Sequence, residues 1–256
     1  MVTGRTLFLV GLLGASLCGP GQVLAAPARP VVMLDPGHGG TNRGAPGVSK
    51  GVYEKRITLA ISRQVAIALK GLRPGWRVLF TRKDDRYLTL DQRVRKANKA
   101  GAHLFISVHL NASPAHSQRG FESYILSREG SNQEAARVAA MENQADEKKG
   151  GSGEARAVVG QILSDLRQTA AHAGSLRLAK LLQKALVKTR GDIHDRGVRQ
   201  APFDVLLGLT MPGVLLEVGF IDHPEEGPQL TAVEVQKRIG EAVAAALIAY
   251  MESSEG

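Results

Sequence analysis

Three of the four apolar runs short enough to be buried strands stop at, or close to, a residue able to bind a metal or carry a proton. The runs are residues 31–34, 78–80, 104–108 and 214–218, and the first is bounded by Pro30 and Pro36. His38 lies just past the first, His109 ends the third, and Glu217 falls within the last residues of the fourth. Between the first two runs, Ile57, Ile61, Val65, Ala68 and Leu69 recur at helical spacing, which sets Glu54 at or just before the first turn of a helix. Leu90, Val94 and Ala97 share one face of a second helix over 91–100, and residues 232–251 read as a closing amphipathic helix. Strands alternating with helices predict an α/β fold, a single domain whose twisted, mostly parallel sheet is covered by helices on both faces. In such sheets, sites gather beyond the carboxyl ends of the strands, where all four of these polar residues belong.

The residue types define a chemistry. Two imidazoles and a carboxylate, His38, His109 and Glu54, are a usual first shell for a catalytic zinc that keeps one position open for water. Glu217 follows Leu215-Leu216 at the end of a buried strand, where an unpaired carboxylate is costly unless it finds a partner or takes a raised pKa. It is either a proton carrier or half of a structural ion pair. His103, His116, His172, His194 and His223 lack this setting and default to structural or surface roles.

The longest apolar stretch is N-terminal: Arg5, an almost wholly apolar run from 6 to 17, Gly19-Pro20-Gly21, then Val23-Leu24-Ala25-Ala26. It reads as a secretory signal peptide over 1–25, cleaved after Ala25 or Ala26, and is too short and wrongly flanked for a stable membrane anchor. The catalytic domain then runs over 26–256 in an exported, periplasmic or wall-associated protein. Cys18 is the only cysteine and goes with the leader. Leu17 stands where a lipoprotein signal needs a small residue, which argues against lipidation.

The formal charge is +9, with 4% aromatic residues. Export and the lack of a base-stacking cluster argue against nucleic acid, and an anionic wall polymer suits the charge better. Between 127 and 190 the alternation of strands and helices stops. Residues 132–146 read as a helix, 149–153 as a Gly-rich break and 157–188 as a long helical region, together a helical insertion over about 128–190.

Asp35-Pro36-Gly37-His38-Gly39-Gly40, Gly51-Val52-Tyr53-Glu54-Lys55, Ser107-Val108-His109-Leu110-Asn111 and Leu216-Glu217-Val218-Gly219-Phe220, in this order, resemble the zinc-dependent N-acetylmuramoyl-L-alanine amidases, the cell-wall hydrolases of the amidase_3 family. Thr81-Arg82-Lys83-Asp84-Asp85, Leu90-Asp91-Gln92-Arg93, Gly120-Phe121-Glu122 and Arg196-Gly197-Val198 also fall where that family's pattern has them, so the likeness covers roughly residues 30–250. It implies zinc on His38, Glu54 and His109, Glu217 as general base and acid, and cleavage of the amide joining N-acetylmuramic acid to the L-alanine of the stem peptide. Asn111, Arg82 and Arg43 lie near the matched loops and are candidates for holding substrate or supporting the ligands. The stretch from Ala136 to Asp146 resembles the regulatory insertion of the division-associated subgroup, in which a helix plugs the site through a Glu, here Glu142, until an activator protein displaces it. Where that subgroup continues Leu-Ile-Gly-Gly, this chain has Glu147-Lys148-Lys149-Gly150-Gly151. The resemblance implies an autoinhibited, monomeric peptidoglycan hydrolase used in wall remodelling or daughter-cell separation. A zinc peptidase or deacetylase acting on another wall bond, or an inactive wall-binding module, are the alternatives, and the intact four-residue set argues against the last.

Overall fold

The computed structural model describes residues 1, 29–147, 166–191 and 193–253. The expected leader beyond Met1, Cys18, the Gly-rich stretch and the start of the long helical region lie outside the described residues.

Six strands form one sheet in the order β2-β1-β3-β6-β4-β5. They are β1 (Val31–Pro36), β2 (Arg77–Phe80), β3 (Leu104–Asn111), β4 (Phe121–Leu126), β5 (Asp195–Ala201) and β6 (Gly213–Phe220). The pairs β1/β2, β1/β3, β3/β6 and β4/β5 are parallel, and β4 meets β6 antiparallel. The mostly parallel, two-faced α/β sheet expected from the sequence is therefore present.

Alternate residues along a strand face opposite sides of the sheet, and the two sides have separate cores. Val32, Leu34, Ile106, Val108, Leu216 and Val218 meet α1 (Glu54–Leu72), α4 (Leu166–Thr189) and α6 (Val233–Glu252). Val31, Met33, Phe105, Tyr124 and Leu215 face α2 (Leu90–Lys99), α3 (Gln133–Glu147) and a 3-10 turn at Asp204–Leu206. A short helix, α5 (Glu226–Thr231), precedes α6. No helix among the described residues is long and apolar enough to cross a membrane.

β4 and β5 have no counterpart in the strand pattern read from the sequence. β4 carries Glu122 and Ser123 at buried positions, and β5 is an edge strand, paired with β4 at the end of the sheet, with the polar sequence Asp-Arg-Gly-Val-Arg-Gln-Ala. β5 offers no apolar run, and in β4 Glu122 and Ser123 break the pattern before Tyr124-Ile125-Leu126. Within the region 128–190, α4 is a layer of the core: Leu178, Ala179, Leu182 and Leu186 are fully buried. Its side chains close the same face as α1 and α6.

Candidate metal centre

The site is built on the carboxyl ends of β1, β3 and β6. β3 and β6 extend past the apolar runs, so His109 and Glu217 sit inside strands and are direct register partners. Side chains of parallel neighbours at one register point to the same face, here the α2/α3 side. His38 lies beyond β1 in a left-handed turn, φ 59°. Glu54 is the first residue of α1 and is aimed back at the strands, its Oε1 accepting from the Leu110 amide at 2.9 Å and its Oε2 from the Ala45 amide at 2.9 Å.

These side chains converge on one point. His38 Nε2 is 2.8 Å from Glu54 Oε2, and His109 Nδ1 is 3.1 Å from Glu54 Oε1. Glu142 on α3 supplies the remaining group, its Oε2 3.1 Å from His109 Nδ1 and 3.4 Å from His38 Nε2. Donor atoms of His38, Glu54, His109 and Glu142 all lie within 4.8 Å of one another. Despite this crowding, His38 Nε2 and His109 Nδ1 are buried without a hydrogen-bond partner among the described residues. Buried ring nitrogens normally find one, so two pointing at a common centre alongside two carboxylates are the donor set of a cation site. The residues fit a zinc ion by type.

Tautomer and orientation follow from the neighbours. His38 Nδ1 stands 3.1 Å from Asn42 Oδ1, which also accepts from the Gly44 amide at 3.1 Å. With that oxygen accepting, Nδ1 carries the proton and Nε2 keeps its lone pair for a metal. Gly37 gives the room: a Cβ there would come within 2.5 Å of the His109 imidazole.

Two buried guanidiniums hold the loop from behind. Arg93 donates to Asp35 Oδ1 at 2.7 Å, to the Pro36 carbonyl at 2.8 Å and to the His38 carbonyl at 2.6 Å. Asp35 also accepts from Thr81 and Ser107. Burial opposes the Asp35 charge, but Arg93 and the two hydroxyls outweigh it and hold the carboxyl below its ordinary value. Arg82 is 1% exposed and donates to the carbonyls of Pro36, Gly37, Lys55 and Asp84. Burial, with Arg93 nearby, lowers its pKa to about 10. Arg82 therefore positions the loop, its donors directed at backbone inside the protein.

Of the other substrate candidates, Arg43 is exposed, stacks 4.9 Å above the Tyr53 ring and donates to its hydroxyl. Asn111 is 5% exposed and donates to Glu122 Oε1 at 2.7 Å. Both border a cleft of about 550 Å³ that also reaches His38, Tyr87, Met141 and Glu142.

Glu217 is 1% exposed and neither carboxylate oxygen has a hydrogen-bond partner among the described residues. Burial raises its pKa; His109 pulls it down, and the carboxylates of Glu142, Glu54 and Glu122 push it up again, leaving it well above the ordinary value. The carboxyl of Glu54 goes the other way. Burial opposes its charge too, yet His38 and His109 outweigh that and hold it low. His109 is likewise penalised by burial and pushed up overall by Glu142 and Glu54. The two buried glutamates thus shift in opposite directions within one site, one kept charged and one able to hold a proton.

The residues that the sequence left without roles are Asn42, Asp35, Arg93, Glu122, Arg196 and Arg199. Arg93 had a signal: it stands three residues after Leu90 and four before Ala97, on the apolar face of α2, where a charge needs a buried partner.

A donor cluster able to hold a metal, beside a buried and protonatable carboxylate at the carboxyl ends of a parallel sheet, is the constellation of a hydrolase. The chain belongs to the Amidase_3 family, N-acetylmuramoyl-L-alanine amidase, which it matches over residues 32–249. It is 36% identical over 225 residues to the N-acetylmuramoyl-L-alanine amidase AmiA of Salmonella typhimurium, covering 87% of this chain and 76% of that protein. AmiA of Escherichia coli is 32% identical, covering 98% of this chain and 92% of the relative. AmiC of Neisseria meningitidis is 34% identical over 88% of this chain, which spans only 54% of that relative's length. Among solved structures, the catalytic domain of CwlV, an N-acetylmuramoyl-L-alanine amidase from Bacillus (Paenibacillus) polymyxa, superposes with TM-score 0.65 at 28% identity, covering 87% of this chain and 98% of that one. AmiC2 of Nostoc punctiforme gives TM-score 0.65 at 27% identity, covering 88% of this chain and 98% of that one.

Proposed function

We propose that the protein is an exported zinc hydrolase of peptidoglycan that cuts the amide between N-acetylmuramic acid and L-alanine. It is held inactive by α3 until a partner protein lifts the helix, and it serves wall remodelling or daughter-cell separation. The observation that carries this reading is the convergence of the unpartnered nitrogens of His38 and His109 with Glu54, capped by Glu142 from α3. Relatives named as amidases, and a net charge of +9 that draws the protein to anionic wall polymers, support it.

His38, Glu54 and His109 would hold the zinc. When bound, zinc supplies polarisation of the scissile carbonyl and lowers the pKa of a water to about 7. Glu217 takes a proton from the attacking water on a carboxylate oxygen and returns it to the amine nitrogen as the C–N bond breaks. Its raised pKa keeps it a competent acid for the second step. Arg82 and Arg93 fix the loop that carries His38, and Glu142 excludes the nucleophilic water while α3 is down. A closed-state preference of a few kcal/mol leaves a small active population, which a partner enlarges by binding the lifted helix.

The test is dye release from purified sacculi, with the products separated by mass and the zinc content measured. Glu142→Ala should raise basal activity several-fold with zinc retained, while His109→Ala should lose zinc and activity together. Equal or lower activity in a folded, zinc-loaded Glu142→Ala protein would reduce α3 to a surface helix. Fragments cut anywhere other than the lactyl–alanine amide would reassign the substrate bond.

A further inference from the structure

The helix that bears Glu142 is held at its other end by a second carboxylate, and the group that receives it is more elaborate than a staple requires. Glu134 lies two turns before Glu142 on the same helical stripe, with Val138 between them. Glu134 Oε1 accepts from Arg196 Nη2 at 2.6 Å and its Oε2 from Arg199 Nη1 at 3.2 Å. The same two guanidiniums also face Glu122, their Nε atoms 3.1 Å and 2.9 Å from its Oε2. Glu122 is fully buried and is the register partner of Glu217 on the neighbouring strand.

A local irregularity of the chain makes this pairing possible. Residues 196 and 199 differ by an odd number and would face opposite sides of a regular strand. Between Phe121↔Asp195 and Ser123↔Val198, β5 spends three residues where β4 spends two, and Gly197 takes φ 81°. The bulge turns both arginines to the side of Glu122, toward α3.

With α3 down the cluster balances, two cations against Glu122 and Glu134. With α3 lifted, Glu134 leaves with the helix, and two forked cations share one carboxylate at the floor of the vacated groove, with Gln118 Oε1 still accepting from Arg196 at 3.0 Å. We propose that Arg196 and Arg199 form a carboxylate-binding subsite for the peptide part of the substrate, which Glu134 fills as a mimic while the helix is closed. This rests on the reading that α3 leaves the groove. Eight residues of helix set Glu134 about 12 Å from Glu142 along the axis. An extended peptide covers that distance in about three to four residues. The ligand is therefore an acidic peptide whose carboxylate lies three to four residues beyond the scissile amide.

The experiment uses the full chain and pairs of synthetic muramoyl peptides that differ only in having a free or an amidated carboxylate on the third or the fourth residue. The readout is the ratio of kcat/KM for the free acid over the amide, measured in the wild type and in Glu142→Ala. The expected ratio is about tenfold or more at one of the two positions, the effect of a charge-assisted contact. Arg199→Gln should bring the ratio toward one. Should that variant not fold, Arg199→Lys should still cut it several-fold, because a lysine cannot fork across a carboxylate. Glu134→Gln should raise kcat/KM for both substrates alike and keep the ratio, since it loosens the cover without touching the arginines. A ratio near one at both positions, or a ratio unmoved by either Arg199 variant, would make the cluster a structural staple only. Failure of Glu142→Ala to activate would instead count against the plug, and the substrate ratio would still decide the subsite.

Discussion

The two faces of the sheet use the same strands and obey different rules. On the side of α1, α4 and α6, buried positions of β1, β3 and β6 are apolar throughout, as in Leu34, Val108 and Leu216. One residue along each strand, Asp35, His109 and Glu217 are buried just as deeply on the α2/α3 side. The apolar face is held by burial alone, which is non-directional and tolerates repacking. The polar face depends on assigned partners: Asp35 has Arg93, Thr81 and Ser107, whereas Glu217 has no hydrogen-bond partner among the described residues. Stability and chemistry are thus separated by a single step along a strand.

Neighbouring substitutions should expose that separation. Glu217→Gln keeps shape and removes the proposed proton carrier, so turnover should fall by about 10² to 10⁴ with metal content retained and the melting temperature unchanged or higher. Near wild-type turnover would show that the polar face needs no proton carrier at this position. Asp35→Asn leaves the Arg93 guanidinium buried without its anion, and should cost about 3–5 kcal/mol by denaturant unfolding while loosening the His38 loop. Leu216→Ala, one residue from Glu217 but on the opposite face, should cost about 2–5 kcal/mol and leave the activity per folded molecule close to wild type. A large activity loss without a stability loss would mean that the faces are not independent.

The smallest effect is the pH dependence of Asp35. Its folded pKa lies below the ordinary aspartate value, so its contribution is fully present above the unfolded pKa and is lost as pH falls through the folded one. The stability gap between wild type and Asp35→Asn should therefore be constant near neutrality and narrow below about pH 4. A gap that stays constant down to pH 2 would assign the Asp35 effect to packing.

Much of this contrast is legible without coordinates, and the reason is physical. An apolar run that ends at a His or Glu reports both a buried strand and the site at its tip, so β1, β3, β6, His38, His109 and Glu217 stand out. Glu54 stands out because a helix start constrains where its side chain can reach. β4, β5 and the ion cluster of Glu122, Arg196 and Arg199 do not, because their polar residues are satisfied by partners distant in the chain, among them one another, Asn111 and Glu134. The apolar spacing of α4 marks a helix, but no local pattern distinguishes a helix covering the sheet from one inserted beside it. That required Leu178, Leu182 and Leu186 to be seen against the strands.

The sequence by itself determined the class of fold, the strands and helices that carry the candidate ligands, and the residue types of a zinc-type ligand set with a spare carboxylate. Periodicity and chemical type are local properties and survive in one dimension. Only the tertiary structure decided that His109 and Glu217 are register partners, that Arg82 supports the metal loop from inside, and that α3 carries two carboxylates into two separate receivers. Those facts depend on which distant segments share a surface, and burial makes them matter: a charge removed from water must be met by a partner that the fold, and not the neighbouring sequence, brings to it.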